Sequence, residues 1–125
     1  MLDWQVQIGG DFPESWDQHR DGCGFPDFDH QEYLLPFFDV GDSPIDPYDA
    51  TAFNDSDLRR LREHLRCYRC FFKGKPKSWL LTEASDDRVT TMRLERDKVL
   101  AVIDKTLEMI EFALARGGTI IFRGD

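Results

Sequence analysis

The sequence predicts an α+β fold: a small mixed or antiparallel sheet with two main helices packed on one face, in a single domain spanning residues 1–125. Three observations carry this expectation. Trp4, Val6 and Ile8 alternate with Asp3, Gln5 and Gln7 in the period-two pattern of a half-buried strand. Two long stretches, opening near Leu58 and Glu95, repeat apolar residues at the helical period. The β-branched run Thr119 to Phe122 then closes the chain as a last strand.

Taken in order, the first strand stops at Gly9-Gly10. From Asp11 to Asn54 the prolines 13, 26, 36, 44 and 47 are spaced so that no long helix is expected, only short strands and ordered loops. Phe12, Trp16, Phe25, Phe28, Tyr33, Leu34, Leu35, Phe37 and Phe38 supply apolar surface to anchor this segment to a core. Asn54, Asp55 and Ser56 are good N-cap residues, and Asp57 places a carboxylate where the helix dipole favours it. Leu58, Leu61, Leu65, Tyr68 and Phe72 then share one stripe, and the helix ends near Lys73-Gly74, before Pro76. Ser78 to Glu83 and Arg88 to Leu94, separated by Ser85-Asp86-Asp87, read as a hairpin. The second helix covers about Glu95 to Arg116, with apolar residues on half of its wheel, and Gly117-Gly118 terminates it.

Charge is laid out unevenly. Residues 1–57 hold fourteen carboxylates and one basic residue, Arg20, whereas residues 58–125 hold fifteen basic and ten acidic residues, for a net charge of -8. Either the Asp-rich loops fold over the Arg-rich helix, or part of the acidic segment stays exposed for a basic partner, since one-signed patches raise on-rates and select partners by complementarity. The same net charge disfavours phosphate backbones. Three cysteines and no cationic-then-apolar start point to a reduced, cytoplasmic protein, and no apolar run approaches the roughly 20 residues that span a bilayer.

Several constellations are candidates for chemistry. His64, Cys67 and Cys70 recur every three residues like a metal or redox motif, but reactive Cys-x-x-Cys pairs normally sit at a helix N-terminus and this one falls toward the end. The alternative is that both thiols are small apolar side chains buried where the helix meets the sheet or loops. His19, Cys23 and His30, near Asp27, Asp29 and Glu32, match no ligand spacing. Asp27-Phe28-Asp29-His30 has the ingredients of acid–base catalysis, the basis of a metal-dependent enzyme alternative, yet no nucleophile signature stands beside it. Gly22-Cys23-Gly24 is too short for a dinucleotide loop, so no cofactor is expected. Arg59, Arg60, Arg62, Arg66, Arg69, Lys73, Lys75 and Lys77, with Tyr68, Phe71 and Phe72, form the alternative of a nucleic-acid grip. Phe112 projects from the charged side of the last helix, as a contact anchor or under cover of another segment.

Long loops in compact domains often carry function, which makes Gly22 to Asp49 the first candidate for a working surface. Within and beside it, Asp27, Asp29, Asp39, Asp42, Asp46 and Asp49 are nominated as partner-binding carboxylates, with Phe28 and Tyr48 as hydrophobic anchors among them. In the last third of the chain, the long apolar helix running into Ala113-Leu114-Ala115-Arg116-Gly117-Gly118 and then Thr119-Ile120-Ile121-Phe122-Arg123-Gly124-Asp125 resembles small bacterial immunity proteins of polymorphic toxin systems. The resemblance implies a compact, cytoplasmic, often acidic domain that binds a cognate toxin and blocks its active site or substrate entry. It transfers no functional residue. The expectation is therefore an antitoxin without a catalytic centre, its acidic loops plugging a basic cleft on a protein partner.

Overall fold

Four strands build the main sheet: β1 (Asp3–Gln7), β2 (Cys23–Gly24), β3 (Ala50–Phe53) and β6 (Thr119–Arg123), in the order β2-β1-β6-β3. The structure, a computed structural model, describes residues 1–11 and 22–124. Every pairing in this sheet is antiparallel, so of the two sheet types expected the antiparallel one forms. The hairpin expected from the Asp86-Asp87 turn forms as β4 (Ser78–Ser85) and β5 (Arg88–Glu95), but as a separate two-stranded sheet.

Residues 11–54 contain a helix that the proline spacing argued against. Helix α1 spans Phe28–Phe38 and includes Pro36. Asp27 caps it, accepting the backbone N–H of His30, and His30, Leu34 and Phe38 line one buried stripe four residues apart. Pro36 is tolerated because it stands near the C-terminal end, where its missing N–H deprives only the carbonyl of Glu32, on the exposed side. Phe12, Trp16, His19 and Arg20 lie outside the described residues.

Helix α2 (Asp55–Lys73) opens with a reciprocal capping box: Asn54 accepts the Asp57 N–H at 3.0 Å, and the Asp57 carboxylate accepts the Asn54 N–H at 3.2 Å. Helix α3 (Arg96–Ala115) ends where Gly117, at φ +65°, lets Gly118 donate back to the Ala113 carbonyl at 2.8 Å. The two helices run antiparallel, since Arg62 and Arg66 meet Glu111 while Arg69 meets Asp104. Among the described residues the two expected helices, joined by α1, cover the face of the main sheet that carries Trp4, Val6, Phe53, Ile120 and Phe122, all fully buried. Trp4 sits at its centre, 4.9 Å from Phe25, 5.3 Å from Phe38 and 5.3 Å from Phe122, and its indole N–H reaches Thr106 of α3 at 3.0 Å. A second aromatic cluster, Tyr33, Phe37, Tyr68, Phe72 and Trp79, joins α1 to α2 and the base of the hairpin. No helix among the described residues is long and apolar enough to cross a membrane.

Cys67 and Cys70 are exposed, against the expectation of burial, because they fall on the side of α2 opposite Leu58, Leu61, Leu65 and Phe72. Phe112 is half-buried at the margin of the core, with the Arg116 guanidinium 3.7 Å above its ring.

Candidate functional site: an aromatic and acidic face on the first helix

The first turn of α1 stands between the hairpin and the loop before β3. Phe28 cannot join the buried stripe, because two positions before His30 it is turned about 200° away on the wheel, and 69% of it is exposed. On one side Phe28, Gln31 and Glu32 share a recess with Met1, Pro47 and Tyr48. On the other side Phe28, Asp29 and Glu32 share a recess with Glu83, Thr90 and Met92 of the hairpin. Phe28 and Glu32 line both recesses. The result is one surface with two protruding rings, Phe28 and the 80% exposed Tyr48, bordered by the carboxylates of Asp29, Glu32 and Glu83.

Tyr48 is held out by its backbone. Asp46 accepts the Tyr48 N–H at 2.8 Å and donates its own N–H to Thr51 at 3.0 Å, while Asp49 accepts the Ala50 N–H at 2.8 Å. The end of the chain braces this turn, since Gly124 donates to the Asp49 carbonyl at 3.0 Å. A Cβ on Gly124 would lie 1.9 Å from the Pro47 carbonyl oxygen and 2.6 Å from the Tyr48 nitrogen, so only glycine allows this approach.

The nominated aspartates thus divide by place. Asp46 and Asp49 flank Tyr48, and Asp29 borders Phe28 while accepting the Arg93 N–H at 3.1 Å. Asp27 is turned inward onto His30. Asp39, at the C-cap of α1, accepts the Ile45 N–H at 2.9 Å, about 16 Å from Phe28 at the rise of a helix. Asp42 lies beyond it, paired with Arg60 at 2.9 Å. Asp39 and Asp42 therefore sit at the far end of the helix from the rings. Glu32, Gln31, Glu83 and Met1 border the face without having been singled out for it; the signal for Glu32 was its place four residues after Phe28, visible only once this segment is known to be helical.

His30 is 1% exposed and both of its ring nitrogens are engaged. Nδ1 lies 2.7 Å from the Asp27 carboxylate, and Nε2 accepts the Glu95 N–H at 3.1 Å, so the proton sits on Nδ1. It joins α1 to the start of α3 and presents no free nitrogen to a substrate. Burial raises the Asp27 carboxyl, but the His30 backbone N–H and imidazole, together with Lys98, outweigh it and hold it below its ordinary value. Among the described residues no three His, Cys, Asp or Glu side chains are arranged to hold a metal. Burial pushes the Cys23 thiol up to about 11, against opposing contributions from Thr106, Gly24 and Lys105.

The arginine flank of α2 is matched by carboxylates: Arg59 with Asp55, Arg60 with Asp42 and Asp57, Arg62 and Arg66 with Glu111, and Arg69 with Asp104. Among the described residues of the Asp-rich loops Asp42 reaches this helix, Asp55 and Asp57 belong to the helix itself, and Glu111 and Asp104 come from α3. Lys75 lies over Phe71 and Trp79. No protein-family model matches the chain, and neither a curated protein nor a solved structure matches it.

Proposed function

We propose that this domain is an immunity-type inhibitor, which docks the Phe28–Tyr48 face into a basic cleft of a toxin and blocks the active site or the approach of substrate. The observation that carries the reading is the pair of exposed rings on one carboxylate-bordered surface, with Tyr48 fixed by Asp46, Asp49 and Gly124. Exposed aromatic anchors ringed by charge are the usual form of a binding hot spot, and a rigid turn loses little entropy when it docks. The carboxylates speed encounter with a cationic partner and select against acidic ones. Nucleic-acid binding through α2 is the weaker reading, because the arginines that would grip phosphates already face carboxylates.

The test is affinity capture with wild type, Phe28→Ala and Tyr48→Ala, followed by assay of the captured protein's enzymatic activity. A cationic partner inhibited at one-to-one stoichiometry, with each variant weakening affinity by roughly 30-fold or more, supports the proposal. Unchanged affinity in both variants, a partner whose activity is unaffected, or retention of nucleic acid alone would overturn it.

A further inference from the structure

The described sheets differ in how their edges are protected. β2 has two residues and β3 has four, too short to template a long pairing. At the base of β5 the outward N–H groups of Arg93 and Glu95 are capped by Asp29 and His30, and α1 stands against this edge. β4 is different. Because Arg93 and Glu95 point outward, their partners Leu80 and Ser78 occupy non-hydrogen-bonded positions, so β4 turns the backbones of Ser78, Leu80, Thr82 and Ala84 away from β5. All four residues are exposed, Leu80 by 68%, and among the described residues no backbone group of another element reaches Leu80, Thr82 or Ala84. Of the eight residues of this strand only Glu83 is charged, and none is proline.

We infer that β4 pairs with β4 of a second copy of this chain, antiparallel about a twofold axis, making one four-stranded sheet β5-β4-β4-β5. The charges at the strand's two ends select this occupant. Lys73, Lys75 and Lys77 precede β4, whereas Glu83 and the Asp86-Asp87 tip stand at its other end. Antiparallel self-pairing lays the basic end of one copy beside the acidic end of the other. With the axis at Leu81, Leu80 faces Thr82 of its mate in a hydrogen-bonded pair, and Asp86 and Asp87 come alongside the stretch Lys75 to Lys77. This parity matches the outward-facing backbone, and residues of like sign are kept apart although each chain carries a net charge of -8. The outer face of the hairpin, with Leu80, Thr82, Ala84, Val89 and Thr91 exposed and Arg93 at its base, continues across the axis.

The test is molar mass in solution across concentration, by sedimentation equilibrium, on the intact chain. Wild type is expected to approach twice the chain mass, and more weakly as salt is raised. Thr82→Pro removes an N–H that β5 does not use and is expected to leave a monomer with unchanged circular dichroism. Lys77→Glu and Asp86→Lys are each expected to weaken dimerisation about 10-fold, and the double variant to restore it, a readout independent of whether Thr82→Pro folds. A wild-type mass of one chain up to about 1 mM, a mass above two chains, or a double variant as weak as either single one overturns the proposal. A monomer that instead binds an extended peptide of another protein does so as well.

Discussion

Asp57 is the buried carboxylate on which the start of α2 and the loop after α1 both depend, and truncating it tests how the acidic segment is attached. Its two oxygens accept the N–H of Asn54 at 3.2 Å and of Asp42 at 3.0 Å, and one of them lies 3.3 Å from Arg60. The residue is 4% exposed, so water cannot replace the lost acceptor in place. Each backbone hydrogen bond contributes about 1 kcal/mol, and the pair with Arg60, itself 43% exposed, adds a few tenths. Asp57→Ala is therefore expected to cost about 2 kcal/mol. With a urea slope of about 1.5 kcal/mol/M, the unfolding midpoint falls by roughly 1.3 M. Asp55, two residues earlier, serves as the internal comparison: it is exposed and, among the described residues, pairs with exposed Arg59 at 2.7 Å. Asp55→Ala should cost no more than about 0.5 kcal/mol. Equal midpoints for the two variants, or a loss below about 0.5 kcal/mol for Asp57→Ala, would refute the assignment of Asp57 as the hub and leave the loop held by its other contacts, Asp39 with Ile45 and Arg60 with Asp42 among them.

Gly124→Ala must move the Pro47–Tyr48 backbone, since its Cβ meets the Pro47 carbonyl oxygen at 1.9 Å. The expected result is amide chemical-shift change concentrated at residues 46–50 and weaker partner binding, with the Trp4 core unaltered; shifts spread evenly over the molecule would contradict it. Native protein should react quickly with a thiol reagent at Cys67 and Cys70, both exposed, and much more slowly at half-buried Cys23, whose thiol burial pushes up to about 11; three equally fast thiols would exclude this packing. The Asp27 carboxyl is held below its ordinary value, so its contribution to stability is complete above about pH 4 and is lost as pH falls through the lower folded value. Urea midpoints measured between pH 2 and 6 should then show a shallower acid decline for Asp27→Asn than for wild type, and parallel curves would argue against the assignment.

Elements whose information is local were legible along the chain. The stripe of Leu58, Leu61, Leu65, Tyr68 and Phe72 specifies α2, Asn54 and Asp57 mark its start, Asp86-Asp87 marks the hairpin, and Gly117-Gly118 marks the end of α3, because periodicity and capping act within a few residues of one another. Three matters were decided only in three dimensions. Helix α1 forms despite Pro36 because Leu34 and Phe38 gain burial against α2 and the Trp4 core, and tertiary burial outweighs one missing backbone hydrogen bond. Arg62, Arg66 and Arg69 of α2 meet Glu111 and Asp104, more than thirty residues away, while Arg59 and Arg60 stay with Asp55, Asp57 and Asp42, because the antiparallel pairing of α2 and α3 sets which charges become neighbours. The face formed by Phe28, Glu32, Tyr48 and Glu83 joins α1, the loop before β3 and the hairpin, and no spacing along the chain encodes it. Composition announces charge and aromatic content, but only packing decides which of those groups is left facing outward once the apolar residues have been buried.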